Sequence, residues 1–270
     1  MDIGLELAGE LLALGVAAGF LAGLLGIGGG MLLVPFLTFI LGQRGVDASL
    51  AVKMAIATSG ATILFTSLSS LLAHQRHGAV RWALVVRFAP GILLGGIAAG
   101  AGVLALVKGR WLALVFAACN IVISWRMLRG AHIDAGRTLP GTPALAAAGV
   151  GLGFLSGLLG AGGAFLSVPF MTWCGVPMRQ AVGTSAALGF PIAVASTLGY
   201  LAGGWNQPPA LPGALGFLYL PAVAAIAAAS VTLAPLGARA AHRMPVERLR
   251  RIFALLLMAL AGYMAWKGLA

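Results

Sequence analysis

Acidic side chains are almost missing from this sequence. Its 270 residues carry six of them, Asp2, Glu6, Glu10, Asp47, Asp134 and Glu247, and each lies near a terminus or between apolar runs. That scarcity excludes three function classes. An intramembrane protease with paired aspartates, a polyprenyl-transferring enzyme with acidic metal motifs and a pump with a buried carboxylate relay all need acids inside the bilayer. Cysteine is scarce as well: Cys119 and Cys174 both fall in apolar runs, where a disulfide framework or a thiolate metal site is not expected, and they read as packing residues. Of the four histidines, His74, His77, His132 and His242, only the first two are near neighbours. A solvated interfacial face is expected for that pair rather than a metal site. No metal, no cofactor and no enzymatic chemistry is expected.

Charge of either sign is sparse. Only 9% of residues are charged against 60% hydrophobic, whereas soluble domains carry about a quarter charged residues. Apolar runs cover 11–42, 48–73, 82–106, 111–125, 142–175, 181–205, 210–234 and 252–266, and a spanning helix needs about 20 apolar residues. The chain therefore reads as an all-α polytopic membrane protein with the lipid bilayer as its main partner. The start, "MDIGLELAGE", is acidic where a secretory signal is basic, so the N-terminus is expected to be retained. A net charge of +11 could point to nucleic acid, but the Arg and Lys are scattered over short loops, as cytoplasmic loops require. No nucleic-acid partner is expected.

What the sequence does have is glycine, placed twice in the same way. "GFLAGLLGIGGGMLLVPF" (19–36) and "GFLSGLLGAGGAFLSVPF" (153–170) agree at 13 of 18 positions with an offset of 134. The likeness continues at offset 126, pairing Lys53 with Arg179 and "ATS" (57–59) with "GTS" (183–185). The chain reads as two homologous four-segment repeats, 1–130 and 144–270, joined by a polar linker at 131–143. Residues 11–42 would span about 48 Å as one straight helix, against a hydrocarbon core of about 30 Å. Gly26, Gly28, Gly29 and Gly30 sit in the middle, where they weaken a helix and permit a reversal. The segment is either a broken helix that crosses once or a re-entrant hairpin.

Loop charge separates these readings. With hairpins, the 17 basic residues divide twelve to five between the two faces; with single crossings they divide ten to seven. The larger asymmetry favours hairpins, and three full crossings per half make the halves inverted, with both termini outside.

In each half the glycine break opens backbone N–H groups at the start of a short helix, where the dipole attracts anions. Thr58 with Ser59, and Thr184 with Ser185, follow Lys53 and Arg179 on the next helix. Such donors suit an oxyanion, and no carboxylate is placed to receive a cation. The duller readings are glycines for close packing, hydroxyls bonded to their own helix and cations snorkelling to headgroups. Recurrence of the whole set in both halves favours a site. Its expected substrate-binding residues are Gly26, Gly28, Gly29, Gly30, Thr58, Ser59, Gly160, Gly162, Gly163, Thr184 and Ser185, with Lys53 and Arg179 attracting the anion.

The doubled glycine motif, each copy followed by a Thr-Ser pair, resembles the signature of the sulfite exporter TauE/SafE family of bacterial membrane permeases. The resemblance covers both halves. It implies an inner-membrane protein that moves sulfite, sulfoacetate or a related sulfonate outward. The second copy departs from the first at Ala161 and Ala164, where the first has Ile27 and Gly30. The expected function is export of a small anion by alternating access. Proton- or sodium-coupled uptake, and a membrane subunit that only anchors a partner complex, stand as alternatives. A homo-oligomer is left open.

Overall fold

A computed structural model of the chain describes residues 5–25, 29–129, 139–241 and 246–269. Gly26, Gly28, His132, Asp134, His242 and most of the linker at 131–143 lie outside the described residues. The protein is an all-α polytopic membrane protein. Helices α1 (Leu5–Leu25) and α2 (Gly30–Gln43) flank the first glycine cluster. They are followed by α3 (Ala48–Arg76), α4 (Trp82–Ile97) with a π-helical continuation at Ala98–Leu104, and α5 (Gly109–Arg129). Helices α6 (Thr142–Leu159) and α7 (Ala164–Trp173) flank the second cluster. The chain ends with α8 (Met178–Gly204), a hairpin of β1 (Ala214–Leu215) and β2 (Leu218–Tyr219), α9 (Leu220–Ala241) and α10 (Val246–Leu269). Among the described residues, six of these helices are long and apolar enough to cross a bilayer.

One apolar run departs from expectation. The stretch 210–234 begins as a β-hairpin, not a helix. Pro208, Pro209 and Pro212 remove helical N–H donors, and Gly213 and Gly216 take left-handed backbone at φ 84° and 57°. The strands pair Ala214 with Tyr219 and Leu215 with Leu218, and helix α9 starts only after them.

Helices of the two halves interleave. α3 and α8 run antiparallel. The start of α8 lies beside the loop after α3, where Arg81 N–H donates to Thr184 Oγ1 at 3.0 Å. The start of α3 lies beside the hairpin after α8, where Tyr219 N–H donates to Thr58 Oγ1 at 3.0 Å. α1 packs along α9, and α6 along α4, each pair running parallel. Glycines make these contacts: Gly15 and Gly19 meet Ile226, Ala229 and Ser230, while Gly91 and Gly95 meet Ala146, Val150 and Phe154. Backbones approach this closely only where side chains are absent. Tyr200 of α8 is fully buried, lies against Gly60 of α3 and donates its hydroxyl to the Gly157 carbonyl of α6.

Polarity is turned inside out relative to a soluble protein. Large apolar side chains such as Val86, Leu94, Leu198 and Leu255 face outward, as lipid requires, while Thr58, Ser59, Thr62, Thr66 and Ser67 line the buried side of α3. All six tryptophans are exposed and sit at or near helix ends: Trp82, Trp125 and Trp173 on one face, Trp111, Trp205 and Trp266 on the other. Two aromatic belts of this kind mark the lipid–water interfaces.

Gly151 and Gly153 provide a matched test of the glycine contacts on α6. A β-carbon at Gly153 collides with the Ile92 carbonyl of α4, whereas one at Gly151 meets nothing within 4 Å. Gly153→Ala should therefore destabilise the protein by about 1–3 kcal/mol. Gly151→Ala should leave the melting temperature in detergent unchanged or slightly raised.

Candidate functional site

Both glycine breaks end on the same backbone device. Gly29, just before α2, has φ 74° and ψ −13°, and Gly163, just before α7, has φ 78° and ψ −10°. This left-handed conformation is open to glycine and costly for a residue with a β-carbon. Space enforces the same choice. A β-carbon at Gly29 would stand 2.8 Å from the Ala18 carbonyl oxygen, and one at Gly163 would strike Ile192. Because Gly29 rests on the middle of α1, the chain turns back at the break instead of continuing along one axis.

Neither α2 nor α7 has a side-chain cap. The Gly29 carbonyl takes the N–H groups of Leu32 and Leu33, and the Gly163 carbonyl takes those of Leu166 and Ser167. The N–H groups before them, on Gly30 and Met31 and on Ala164 and Phe165, have no acceptor within their helices. All four residues are buried. Two uncapped helix starts, each with the positive end of its dipole, therefore point into the interior.

The two breaks meet. A β-carbon on Gly30 would collide with the Gly160 carbonyl. At this junction the Ser59 hydroxyl of α3 reaches Gly160 O at 2.9 Å and Gly30 O at 3.4 Å, so one side chain joins the carbonyls of both halves. Ser185, its counterpart on α8, lies 2.7 Å from the Ser167 hydroxyl of α7. Thr58 and Thr184 accept the N–H groups of Tyr219 and Arg81, the residues immediately before α9 and α4. Each threonine keeps its own hydroxyl proton to donate.

The cations stand at the edges. Half-buried Lys53 donates to the Ala105 carbonyl at 2.9 Å and lies 5.6 Å from the centroid of the Phe217 ring. Exposed Arg179 donates to the His77 carbonyl at 3.3 Å. Asp47 caps α3, accepting from Ser49 N at 2.9 Å and Leu50 N at 3.1 Å. The expected interfacial histidine pair is corrected in one member. His77 is exposed, but His74 is 4% exposed inside the last turn of α3. The helix runs on to Arg76, and that turn carries His74 to the packed face. Among the described residues, no three metal-ligating side chains cluster.

Sequence reasoning missed three hydroxyls at the second break. Ser156 Oγ is buried without a hydrogen-bond partner, 3.1 Å from where a Gly163 β-carbon would stand. Ser167 pairs with Ser185, and Ser67 of α3 lies against Gly189, whose missing β-carbon would stand 3.6 Å from the Gly162 carbonyl oxygen. The signal for two of them was in the doubled motif, where Ala22 and Leu33 in the first copy become Ser156 and Ser167 in the second.

Known proteins give the scaffold its context. The profile of the sulfite exporter TauE/SafE family matches residues 11–264. A "Probable membrane transporter protein" of Haemophilus influenzae is 36% identical over 255 residues, covering 93% of this chain and 95% of the relative. Proteins of the same description are 30% identical in Methanocaldococcus jannaschii, over 66% of each chain, and 28% identical in Xylella fastidiosa strain 9a5c, over 95% of this chain and 94% of the relative. No solved structure matches the chain.

The threonine geometry generates a stability test. Thr58→Val and Thr184→Val keep the shape but leave the Tyr219 and Arg81 N–H groups without an acceptor. Each should cost about 1–3 kcal/mol, read as a lower melting temperature of the unliganded protein. An unchanged melting temperature would show that these bonds carry no weight.

Proposed function

The chain belongs to the sulfite exporter TauE/SafE family, and from that premise we propose that it exports a small anion, sulfite or an organosulfonate such as sulfoacetate, across a bacterial inner membrane by alternating access. As in its family and relatives, the activity is membrane transport and not enzymatic conversion. The observation that carries the substrate reading is the meeting of two uncapped helix starts beside Ser59.

Physical chemistry supports an anion there. Backbone N–H groups and hydroxyls are donors, and the helix ends add partial positive charge in a medium of low dielectric. A cation would find no carboxylate at the breaks, since Asp47 is spent on its own helix. While Gly26 and Gly28, expected in the same set, lie outside the described residues, Gly29, Gly30, Gly160, Gly162 and Gly163 let donors approach the ligand. Thr58, Ser59, Thr184 and Ser185 stand beside them, and Lys53 and Arg179 raise the local anion concentration at the two mouths. Export is downhill in an inside-negative cell by about 2.3 kcal/mol per charge per 100 mV. No separate energy source is then needed.

The halves 1–130 and 144–270 act as inverted units, an arrangement supported by the antiparallel α3 and α8 and by the reciprocal pairing of α1 with α9 and α6 with α4. The face that carries Arg179 also carries twelve of the 17 basic residues and is assigned to the cytoplasm, which puts both termini outside.

Two measurements test this reading. Purified protein should be stabilised by sulfite or sulfoacetate, by about 2.7 kcal/mol at a hundred times the dissociation constant, and proteoliposomes should release radiolabelled sulfite. If neither anion, nor taurine, thiosulfate or a simple carboxylate, shifts the melting temperature, the anion reading fails. Single cysteines near Arg44 and near Arg179, in a background lacking Cys119 and Cys174, should label from opposite sides of the membrane. Labelling from one side would replace inverted halves with parallel ones.

A further inference from the structure

The two breaks are built alike in backbone but not in side chains. At the first, the Ser59 hydroxyl is committed to the carbonyls of Gly160 and Gly30, and the flanking positions are Ala22 and Leu33. No serine there corresponds to Ser156 or Ser167, and Thr58, on the same helix as Ser59, has its oxygen taken up by the Tyr219 N–H. At the second, Ser156, Ser167 and Ser185 surround the start of α7, and they are 1%, 0% and 0% exposed.

Counting protons shows that this second cluster is incomplete by itself. Ser167 and Ser185 are 2.7 Å apart, so one hydroxyl donates to the other and one proton is left over. Ser156 Oγ has no partner at all, although it is sealed inside the protein next to Gly163, the residue that opens α7. The N–H groups of Ala164 and Phe165 add two more donors from the uncapped helix start. Buried polar groups are nearly always paired, and a concentration of unused donors in an apolar medium is the complement of a missing acceptor. An oxyanion with several oxygens on one centre, such as sulfite or the sulfonate group, presents acceptors in several directions at once.

We infer that a single anion seats at the second break only, held by the α7 helix start together with Ser156, Ser167 and Ser185, while the first break serves as the wall against which that site is built. The inference rests on the anion reading above and narrows it to one half of the molecule. Ser156 is then a ligand-binding residue whose hydroxyl is held in reserve in the empty protein. The Gly30–Gly160 contact and the Ser59 bonds hold the second break in place without touching the ligand.

The test uses the full-length purified protein and sulfite as the probe, with binding followed by calorimetry. The wild type should bind one sulfite per chain. Ser156→Ala should weaken binding at least tenfold, about 1.4 kcal/mol, while the melting temperature of the unliganded protein stays the same or rises, because an unpaired buried hydroxyl has been removed. Ser185→Ala should also weaken binding. Ser70→Ala provides the control, since Ser70 Oγ is likewise buried and unpartnered but lies far along α3 from the breaks, and it should leave sulfite affinity unchanged. Wild-type binding with an unaltered Ser156→Ala affinity, or two equivalent sulfites per chain, overturns the one-sided site and leaves the anion reading standing. No binding of any anion by the wild type overturns the anion reading and this inference together.

Discussion

A bilayer offers no water to an unpaired backbone group, and this structure departs from continuous helix twice in its interior. Several of its polar side chains answer that one constraint. Ser59 joins the carbonyls of Gly160 and Gly30 where the breaks touch. Thr58 and Thr184 take the N–H groups that begin α9 and α4, and Lys53 and Arg179 take carbonyls where neighbouring helices end. At the second break Ser156, Ser167 and Ser185 gather instead around an uncapped helix start, with the Ser156 hydroxyl unpartnered.

The same constraint shapes how the halves combine. Each of the two glycine-packed pairs, α1 with α9 and α4 with α6, joins a helix that precedes the 131–143 linker to one that follows it. Close carbonyl-to-glycine contact makes each pair stiff, because almost no side chain lies between the backbones to rearrange. α3 and α8, which carry most of the buried hydroxyls, cross between the pairs beside both breaks.

Much of this was legible in the residues, and the exceptions have physical causes. The membrane class followed from scarce charge, and the two helix breaks followed from glycine clusters in runs too long for one helix. The family resemblance rested on the same doubled motif. The hairpin at 214–219 was hidden because leucine, alanine and phenylalanine made 210–234 look uniformly apolar, while the prolines and positive-φ glycines decided its shape. His74 was misplaced because the apolar run ends at Ala73 but the helix does not. Thr58 and Thr184 were picked out by recurrence, yet their acceptor bonds to the opposite half depend on contacts at a separation that local pattern does not encode. Ser156 and Ser167 could have been noticed, since each replaces an apolar residue within an otherwise repeated motif.

The connections after α3 and α8 differ in length and build. The first is a tight turn at 77–81, fixed at its end by Thr184; the second runs from 205 to 219 and folds into the hairpin, burying Phe217, Leu218 and Tyr219 beside the start of α3. One end of the molecule thus carries a folded piece of its own chain, held to α3 by the backbone bond to Thr58 and by ring contact with Lys53. The other carries only the short turn at 77–81. The two ends therefore differ in how much backbone lies between the flanking helices, so the longer connection has more conformations open to it without any helix having to move.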